Sequence, residues 1–242
     1  MRLKSSESTV RIHDVPLAHD ARFDEEEGRG EGASSSEVDL LLELDPHLVA
    51  ALSPDDPLAQ AARNLRAMIS AARLENGERP KVVVLLGADA DAETALLSAN
   101  VAIASAQSGW RTLLVDTDSA DPVQHRLFGL PYYTGTGQDD GGEPELIVRA
   151  SSIPRLALAT AKHSTSASAS VQMHSALRQV TEDFDLTIVD ASHRSRSSAP
   201  TYGADAAVVV LRRDFTAVAD TQEIVHSLRT AGTAVLGTFM FK

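Results

Sequence analysis

Three aspartates, Asp116, Asp118 and Asp190, stand at the ends of two short apolar runs in this 242-residue sequence. A third apolar run, 81–86, leads into a loop that precedes a helical stretch. Because the carboxyl ends of parallel strands meet at one edge of a sheet, we expect these acids and the loop to converge there. Carboxylates at such an edge are suited to hold the Mg²⁺ ion that accompanies a nucleotide phosphate. The pattern therefore predicts a site of the nucleotide–magnesium type.

The elements that would position these residues alternate between strands and helices. Apolar, β-branched runs predict strands at 81–86, 111–116, 155–160, 186–190, 206–211 and 234–239. Helical spacing predicts a first helix that begins at Pro57, after a capping Asp56, and that ends at Asn76-Gly77. Further helices are predicted at 92–108, 168–182 and 216–230. This alternation is typical of an α/β fold with a doubly wound parallel sheet.

The composition excludes several classes of protein. Lys and Arg number 22 and Asp and Glu 34, so the net charge is −12 and most of the surface repels nucleic acid and anionic lipid. Aromatic residues make up only 4%, which argues against a surface built on base stacking. The lack of cysteine excludes disulfides, thiolate zinc sites and cysteine nucleophiles. No apolar run approaches the roughly 18 residues of a membrane span. We therefore expect a cytoplasmic protein without a direct membrane span.

Residues 1–36 differ in composition from the rest of the chain. They contain the run DEEEGRGEGASSS and show no apolar periodicity. Such a segment buries too little apolar area to offset the entropy of ordering it. We expect a disordered acidic tail at 1–36, followed by one folded domain at 45–242.

Four segments carry a specific resemblance. They are the leading helix region 45–69, the strand and D-x-D stretch 112–130, the strand 184–192, and the closing strand–helix–strand unit 204–241. In order and spacing they resemble the cytoplasmic kinase domain of bacterial tyrosine kinases (BY-kinases) of capsule and exopolysaccharide export. These kinases form part of the MinD/ParA-like branch of P-loop ATPases. The resemblance implies a doubly wound, mostly parallel P-loop NTPase fold.

The resemblance also locates a phosphate-binding loop, from which this sequence departs. The Walker A motif of the family ends in G-x-G-K-[ST], and residues 91–95 occupy these positions. Asp91 and Glu93 replace the two glycines, Thr94 replaces the lysine, and Ala95 replaces the hydroxyl that binds Mg²⁺. Two acids without a cation repel a phosphate instead of cradling it. The family pattern therefore implies a degenerate Walker A motif.

What remains is a vestigial nucleotide site. Its residues are Asp91, Glu93, Thr94, Ala95, Asp116, Asp118 and Asp190. We expect no bound cofactor, no resident metal and no catalytic residue. In the alternative, Mg-ATP binds through Asp116, Asp118 and Asp190.

A polar stripe on the first helix resembles the oligomerisation signature of the family. That signature reads E-x-x-R-x-x-R, and this chain has Gln60, Arg63 and Arg66 at the three positions. The resemblance implies an interface between subunits or with a partner. The alternative is a solvated stripe, because residues at i, i+3 and i+6 share one face of a helix.

These features favour a pseudokinase of exopolysaccharide or capsule biosynthesis or export that acts by binding. The resemblance implies a membrane chain-length regulator or an active kinase paralogue as its partner, and a peripheral position at the inner membrane through that partner. The first alternative is an active tyrosine autokinase that modifies Tyr132 or Tyr133. The second is a MinD/ParA-like positioning factor.

Overall fold

A computed structural model describes residues 10–13, 44–88, 92–118, 122–130, 146–161, 177–192 and 202–241. Within these residues the core is one eight-stranded sheet. Its strands are β1 (Val10–His13), β2 (Val82–Gly87), β3 (Thr112–Asp116), β4 (Leu146–Ala150), β5 (Leu156–Ala161), β6 (Leu186–Ala191), β7 (Ala206–Arg212) and β8 (Ala234–Phe241).

The strands are ordered β1-β4-β5-β3-β6-β2-β7-β8 across the sheet. All neighbouring pairs are parallel except β4 and β5, which are antiparallel. Strand β2 lies inside the sheet, with β6 and β3 on one side of it and β7 and β8 on the other, as in a doubly wound sheet. The predicted fold class, a doubly wound and mostly parallel α/β sheet, is confirmed.

Five helices in the described residues have complete bounds. They are α1 (Val49–Leu52), α2 (Pro57–Ala71), α3 (Ala92–Gln107), α4 (Val123–Leu127) and α5 (Val218–Thr230). Residues 177–181 are also helical, residues 168–176 of the helix predicted at 168–182 lie outside the described residues, and Glu182 is in a turn.

The first helix begins where the sequence predicts and ends earlier. Asp56 caps α2, because its Oδ1 accepts a hydrogen bond of 2.7 Å from the backbone N–H of Leu58. The helix ends at Ala71 and not at Asn76-Gly77. Gly77, at φ +81°, belongs instead to a separate turn in which its N–H bonds Leu74 O.

Alternate residues of the strands face two different apolar layers. On β2, Val83 and Leu85 pack with α1, α2 and α3, while Val84 and Leu86 face α5 and the helical residues 177–181. The central strands are therefore apolar on both faces, as buried parallel strands are.

Two strands are absent from the sequence-based prediction. Within the segment expected to be a disordered tail, Val10–His13 form the edge strand β1 beside β4, and β4 itself, Leu146–Ala150, is the second strand. The remainder of 1–36 lies outside the described residues, and the tail stays a prediction there. In the part of the chain that the structure describes, no helix combines the length and apolar character that a bilayer crossing requires.

Candidate functional site

The structure brings two of the predicted acids together. Strands β3 and β6 are neighbours, and Asp116 stands directly opposite Asp190 in their register. Both side chains are almost fully buried, with 3% and 2% of their surface exposed. A pair of buried carboxylates is costly unless protons or hydrogen-bond donors compensate for the lost hydration.

Gln124, on the short helix α4, supplies such donors. Its side-chain Nε2 donates to Asp190 Oδ2 at 2.6 Å and to the backbone oxygen of Ala95 at 3.0 Å. Its backbone N–H donates to Asp116 Oδ2 at 2.9 Å. One residue therefore connects both carboxylates to the first turn of α3.

Backbone groups complete the shell around the two acids. Asp118 N donates to Asp116 Oδ1 at 3.0 Å, and Ser192 N donates to Asp190 Oδ1 at 3.1 Å. Thr117 Oγ1 donates to the backbone oxygen of Asp190 at 2.7 Å. Asp118 itself is half-buried beside Asp116. Every carboxylate oxygen of the pair therefore has a donor from within the chain.

Burial raises the pKa of Asp116 to about 7, with the charge of Asp190 as a second cause. Burial also raises the pKa of Asp190, although the hydrogen bond from Gln124 opposes this. The physical reason is that ionising two neighbouring carboxyls in a buried site is unfavourable. The pair titrates as a unit, and near neutral pH it holds a proton.

This proton gives a pH dependence of stability with a defined sign. Between about pH 4 and pH 7 the native state keeps a proton on Asp116 that the unfolded chain has lost, so the free energy of unfolding falls as pH rises through this window. His125 contributes with the opposite sign, because burial and the charge of Arg149 lower its pKa to about 4. The contribution of Asp116 is therefore measured as a difference between two proteins.

Urea unfolding at pH 4.5 to 8 should be compared for the wild type and for Asp116→Asn, which cannot ionise. We expect the stability of the wild type relative to the variant to decrease with pH, by at most about 1.4 kcal/mol for each pH unit. Asp118→Asn is the matched control, because Asp118 is only half-buried. A constant difference between wild type and Asp116→Asn across this range would contradict a shared proton.

The segment corresponding to the phosphate-binding loop is partly described. Asp91 lies outside the described residues, and Glu93 lies in the first turn of α3. Arg212, at the end of β7, places its Nε 3.7 Å from Glu93 Oε2. An acid at a helix N-terminus is stabilised by the helix dipole and here also by a cation. The Glu93 carboxylate therefore already occupies the helix N-terminus and the neighbouring cation that a bound phosphate would need.

The next two positions point inward. Thr94 is 1% exposed and Ala95 is fully buried, so neither presents a surface side chain at the start of α3. The backbone oxygen of Ala95 accepts a hydrogen bond from the Gln124 side-chain amide. Glu93, Thr94 and Ala95 supply no cation and no exposed hydroxyl. Among the residues that the structure describes, no group of three or more His, Asp or Glu side chains is arranged to hold a metal ion.

The stripe on α2 is less uniform than its spacing suggests. Gln60 is exposed, and the Arg63 guanidinium donates to the backbone oxygen of Pro54 in the same chain. Arg66 is half-buried, and within the described part of the chain its Nε is buried without a hydrogen-bond acceptor. Arg63 thus has an internal role, and the Nε of Arg66 is turned away from the surface of the stripe.

Two residues of this site were missed by the sequence analysis. Gln124 is separated from Asp190 by 66 positions, and Arg212 lies far along the chain from Glu93. Neither belongs to a motif or a periodic pattern. The one available signal was position: Arg212 follows a predicted strand at the same edge of the sheet as the acids.

Comparison with known proteins supports the resemblance in sequence. No family model matches the chain. A stretch of 82 residues, 34% of the chain, is 32% identical to the putative tyrosine-protein kinase CapB of Staphylococcus aureus. A stretch of 101 residues is 35% identical to the putative tyrosine-protein kinase EpsB of Ralstonia nicotianae. These matches span 35% and 13% of the two relatives' own lengths.

Solved structures support the fold. The kinase domain of the Escherichia coli tyrosine kinase ETK matches 97% of this chain and 89% of its own with a TM-score of 0.65 at 19% identity. The chimerical protein CapA2B2 matches 84% of this chain and 96% of its own with a TM-score of 0.64, also at 19% identity. The resemblance to bacterial tyrosine kinases is confirmed, and the chain has their kinase-domain fold.

Proposed function

We propose that this chain, which has the fold of bacterial tyrosine kinase domains and resembles them in sequence, is a catalytically degenerate member of that group. It acts in exopolysaccharide or capsule biosynthesis or export by binding, and not by phosphoryl transfer. Its partner is a membrane chain-length regulator or an active kinase paralogue. The proposed location is the cytoplasmic side of the inner membrane, held there through the partner.

The observation that carries this proposal is the network around Gln124. A Mg²⁺ ion requires ionised carboxylates with lone pairs directed at the metal. Here the Gln124 amide donates to Asp190 at 2.6 Å, and burial raises the pKa of Asp116 to about 7. The pair is satisfied by protons and by the chain itself. The pair consists of carboxylates, which are common metal ligands, but its oxygens accept hydrogen bonds from the chain as in a structural buried pair.

The start of α3 supports the same proposal. Glu93 is close to Arg212, and Thr94 and Ala95 are buried. A triphosphate brought to this helix would meet the carboxylate of Glu93 before it met a cation. Loss of the phosphate site leaves the surfaces of the domain as its means of action, which is why we propose binding.

The α2 stripe is the first surface to test. A tagged chain should copurify with a membrane protein of the chain-length-regulator class or with a kinase paralogue from detergent-solubilised cells. Arg63→Glu together with Arg66→Glu should abolish this copurification. Because Arg63 donates to Pro54 O, the variant should also lose about 1 kcal/mol of stability.

Arg73→Glu is the matched control for this experiment. Arg73 follows the same helix and donates to three backbone oxygens, those of residues 70, 71 and 72. Measured beside Arg63→Glu alone, it undergoes the same charge change and also loses hydrogen bonds, but away from the stripe. Equal copurification by both variants, with an unchanged mass in light scattering, would leave the stripe as a solvated surface. Phosphotyrosine on the purified chain would favour the autokinase alternative.

A further inference from the structure

The sheet ends in a long strand with an open edge. Strand β8 is the last strand of the sheet and in the described residues pairs only with β7. It contains eight residues, AVLGTFMF, with no charged residue and no proline. Natural proteins usually protect such edges with charges, prolines or short strands, because an unprotected edge pairs with another chain.

The backbone groups that face this edge can be assigned. Arg213 N donates to Phe241 O at 3.0 Å, so the polar backbone groups of Phe241 face β7. In a parallel ladder, successive residues direct these groups to opposite sides of the strand. Phe239 therefore also faces β7, whereas Thr238 and Met240 face the open edge. Their N–H and C=O groups are available to an added strand.

A groove runs along this edge beside α5. It has a volume of about 540 Å³ and lies between α5 and the ends of β7 and β8. One face of α5, at helical spacing, lines it, together with Leu211 and Met240. An additional strand beside β8 would place alternate side chains in this groove.

Large exposed apolar side chains concentrate around the same edge. Met240 and Val218 line the groove and are 53% and 73% exposed, and the neighbouring Phe215 is 72% exposed. On the other face of the sheet, Met68 approaches Gly237 of β8 and is also exposed. A concentration of apolar surface marks an interaction site more reliably than scattered residues do.

The charges of the groove oppose those of the chain as a whole. Arg212, Arg213 and Arg229 line it, with Asp214 as the one acid among its lining residues, while the chain carries a net charge of −12. The acids of α5, Asp220 and Glu223, are not among the lining residues. The groove is thus a cationic strip on an acidic protein, which favours an acidic ligand.

We infer that β8 and this groove bind an extended acidic segment of a partner protein, which joins the sheet as a ninth strand. Val218 and Arg229 are about 16 Å apart along the helix at 1.5 Å per residue. About five strand residues cover this distance at 3.3 Å per residue. The segment therefore has apolar residues in its centre and an acid towards each end, opposite Arg213 and Arg229. The inference is independent of nucleotide binding and of the α2 stripe.

The same charges disfavour a second copy of this chain as the occupant. Two copies that paired β8 with β8 about a twofold axis would bring α5 beside α5 in opposite directions. The cationic lining of one groove would then face that of the other. Like charges that face each other across an interface are unfavourable.

The test uses two synthetic heptapeptides, Glu-Thr-Val-Thr-Val-Thr-Glu and its counterpart with lysine at both ends, so that the terminal charges and the central valines share one face of the strand. Each is titrated into isotope-labelled full chain while backbone amide shifts are followed by NMR. We expect saturable shifts at Thr238 and Met240 with the acidic peptide and none with the basic one. Added salt should weaken the binding.

Two variants separate the contribution of backbone hydrogen bonds from that of charge. Thr238→Pro removes one outward N–H without breaking the ladder to β7, and Thr238→Ala keeps it as the control; the proline should abolish binding. Arg213→Glu with Arg229→Glu should weaken binding of the acidic peptide by about ten-fold or more and allow the basic peptide to bind. No shifts up to about 1 mM peptide, or unchanged binding by Thr238→Pro, would overturn the inference. So would a homodimer that Thr238→Pro dissociates.

Discussion

Titration of Mg-ATP or Mg-ADP into the purified chain is expected to show no binding at millimolar concentrations. A P-loop holds a triphosphate by charge-assisted hydrogen bonds, each of which contributes about 1.5–3 kcal/mol. In the correspondence that the family resemblance implies, Thr94 stands in place of the lysine and Ala95 in place of a magnesium ligand. Losing two such contacts costs about 3–6 kcal/mol, or two to four decades of affinity. A micromolar site would weaken to between about 0.1 mM and 10 mM before repulsion by Asp91 and Glu93 is counted.

The structure adds a reason that the two acids in the sheet do not rescue the site. Acids attract a phosphate only through a metal ion. Asp190 already accepts a hydrogen bond from Gln124, and Asp116 holds a proton near neutral pH because burial raises its pKa to about 7. A metal would have to displace the amide and the proton together.

The matched variant restores the motif with Asp91→Gly, Glu93→Gly, Thr94→Lys and Ala95→Ser. Calorimetry and thermal shift should detect nucleotide binding by this variant and not by the wild type. Its melting temperature without nucleotide must be recorded, because Thr94 and Ala95 are buried and their replacement perturbs the start of α3. Binding by the wild type below about 50 μM would overturn the proposed loss of activity.

Replacing Gln124 is expected to destabilise the domain more than any other single change to a glutamine in the described residues. Gln124→Leu leaves the Asp190 carboxyl and the Ala95 carbonyl without their amide donor. An unsatisfied buried polar group costs about 1–3 kcal/mol, and more when it is charged. We therefore expect the free energy of unfolding at pH 8 to fall by about 3 kcal/mol, measured by urea denaturation.

Gln124→Glu should have a larger effect with a characteristic pH dependence. It places a third carboxyl beside Asp116 and Asp190, so its cost is greatest at pH 8 and falls as acid protonates the cluster. Gln107→Leu is the control. Gln107 lies on α3 and donates one bond of 3.0 Å to Ala50 O, far from any paired carboxylates. Equal losses for Gln107→Leu and Gln124→Leu would show that the network contributes no more than an ordinary hydrogen bond.

The sequence by itself predicted most of the sheet and the position of its acids. The six predicted strands appear with bounds that differ by one or two residues, because buried parallel strands are continuous β-branched runs that local composition reveals. The opposition of Asp116 and Asp190 follows from the same logic. Each acid ends an apolar run, and parallel neighbours bring such ends to one edge.

Two short strands were not predictable in this way. Val10–His13 lie in a charged, polar segment, and Leu146–Ala150 follow a long polar stretch of the sequence. Strand β1 is an edge strand whose one neighbour, β4, is remote in the chain, and β4 lies between β1 and β5. Whether such short segments form strands depends on these neighbours, which local composition does not identify.

Only the tertiary structure decided what surrounds the acids. Gln124 sits on a five-residue helix, and its side chain reaches residues 29 and 66 positions away. Arg212, at the end of β7, lies close to Glu93 in the first turn of α3, although the two residues are far apart in the sequence. The sequence specifies which residues can ionise, donate or accept. Burial and contact set the pKa of Asp116 and the partners of Glu93, because both depend on the distances between segments that only the folded chain brings together.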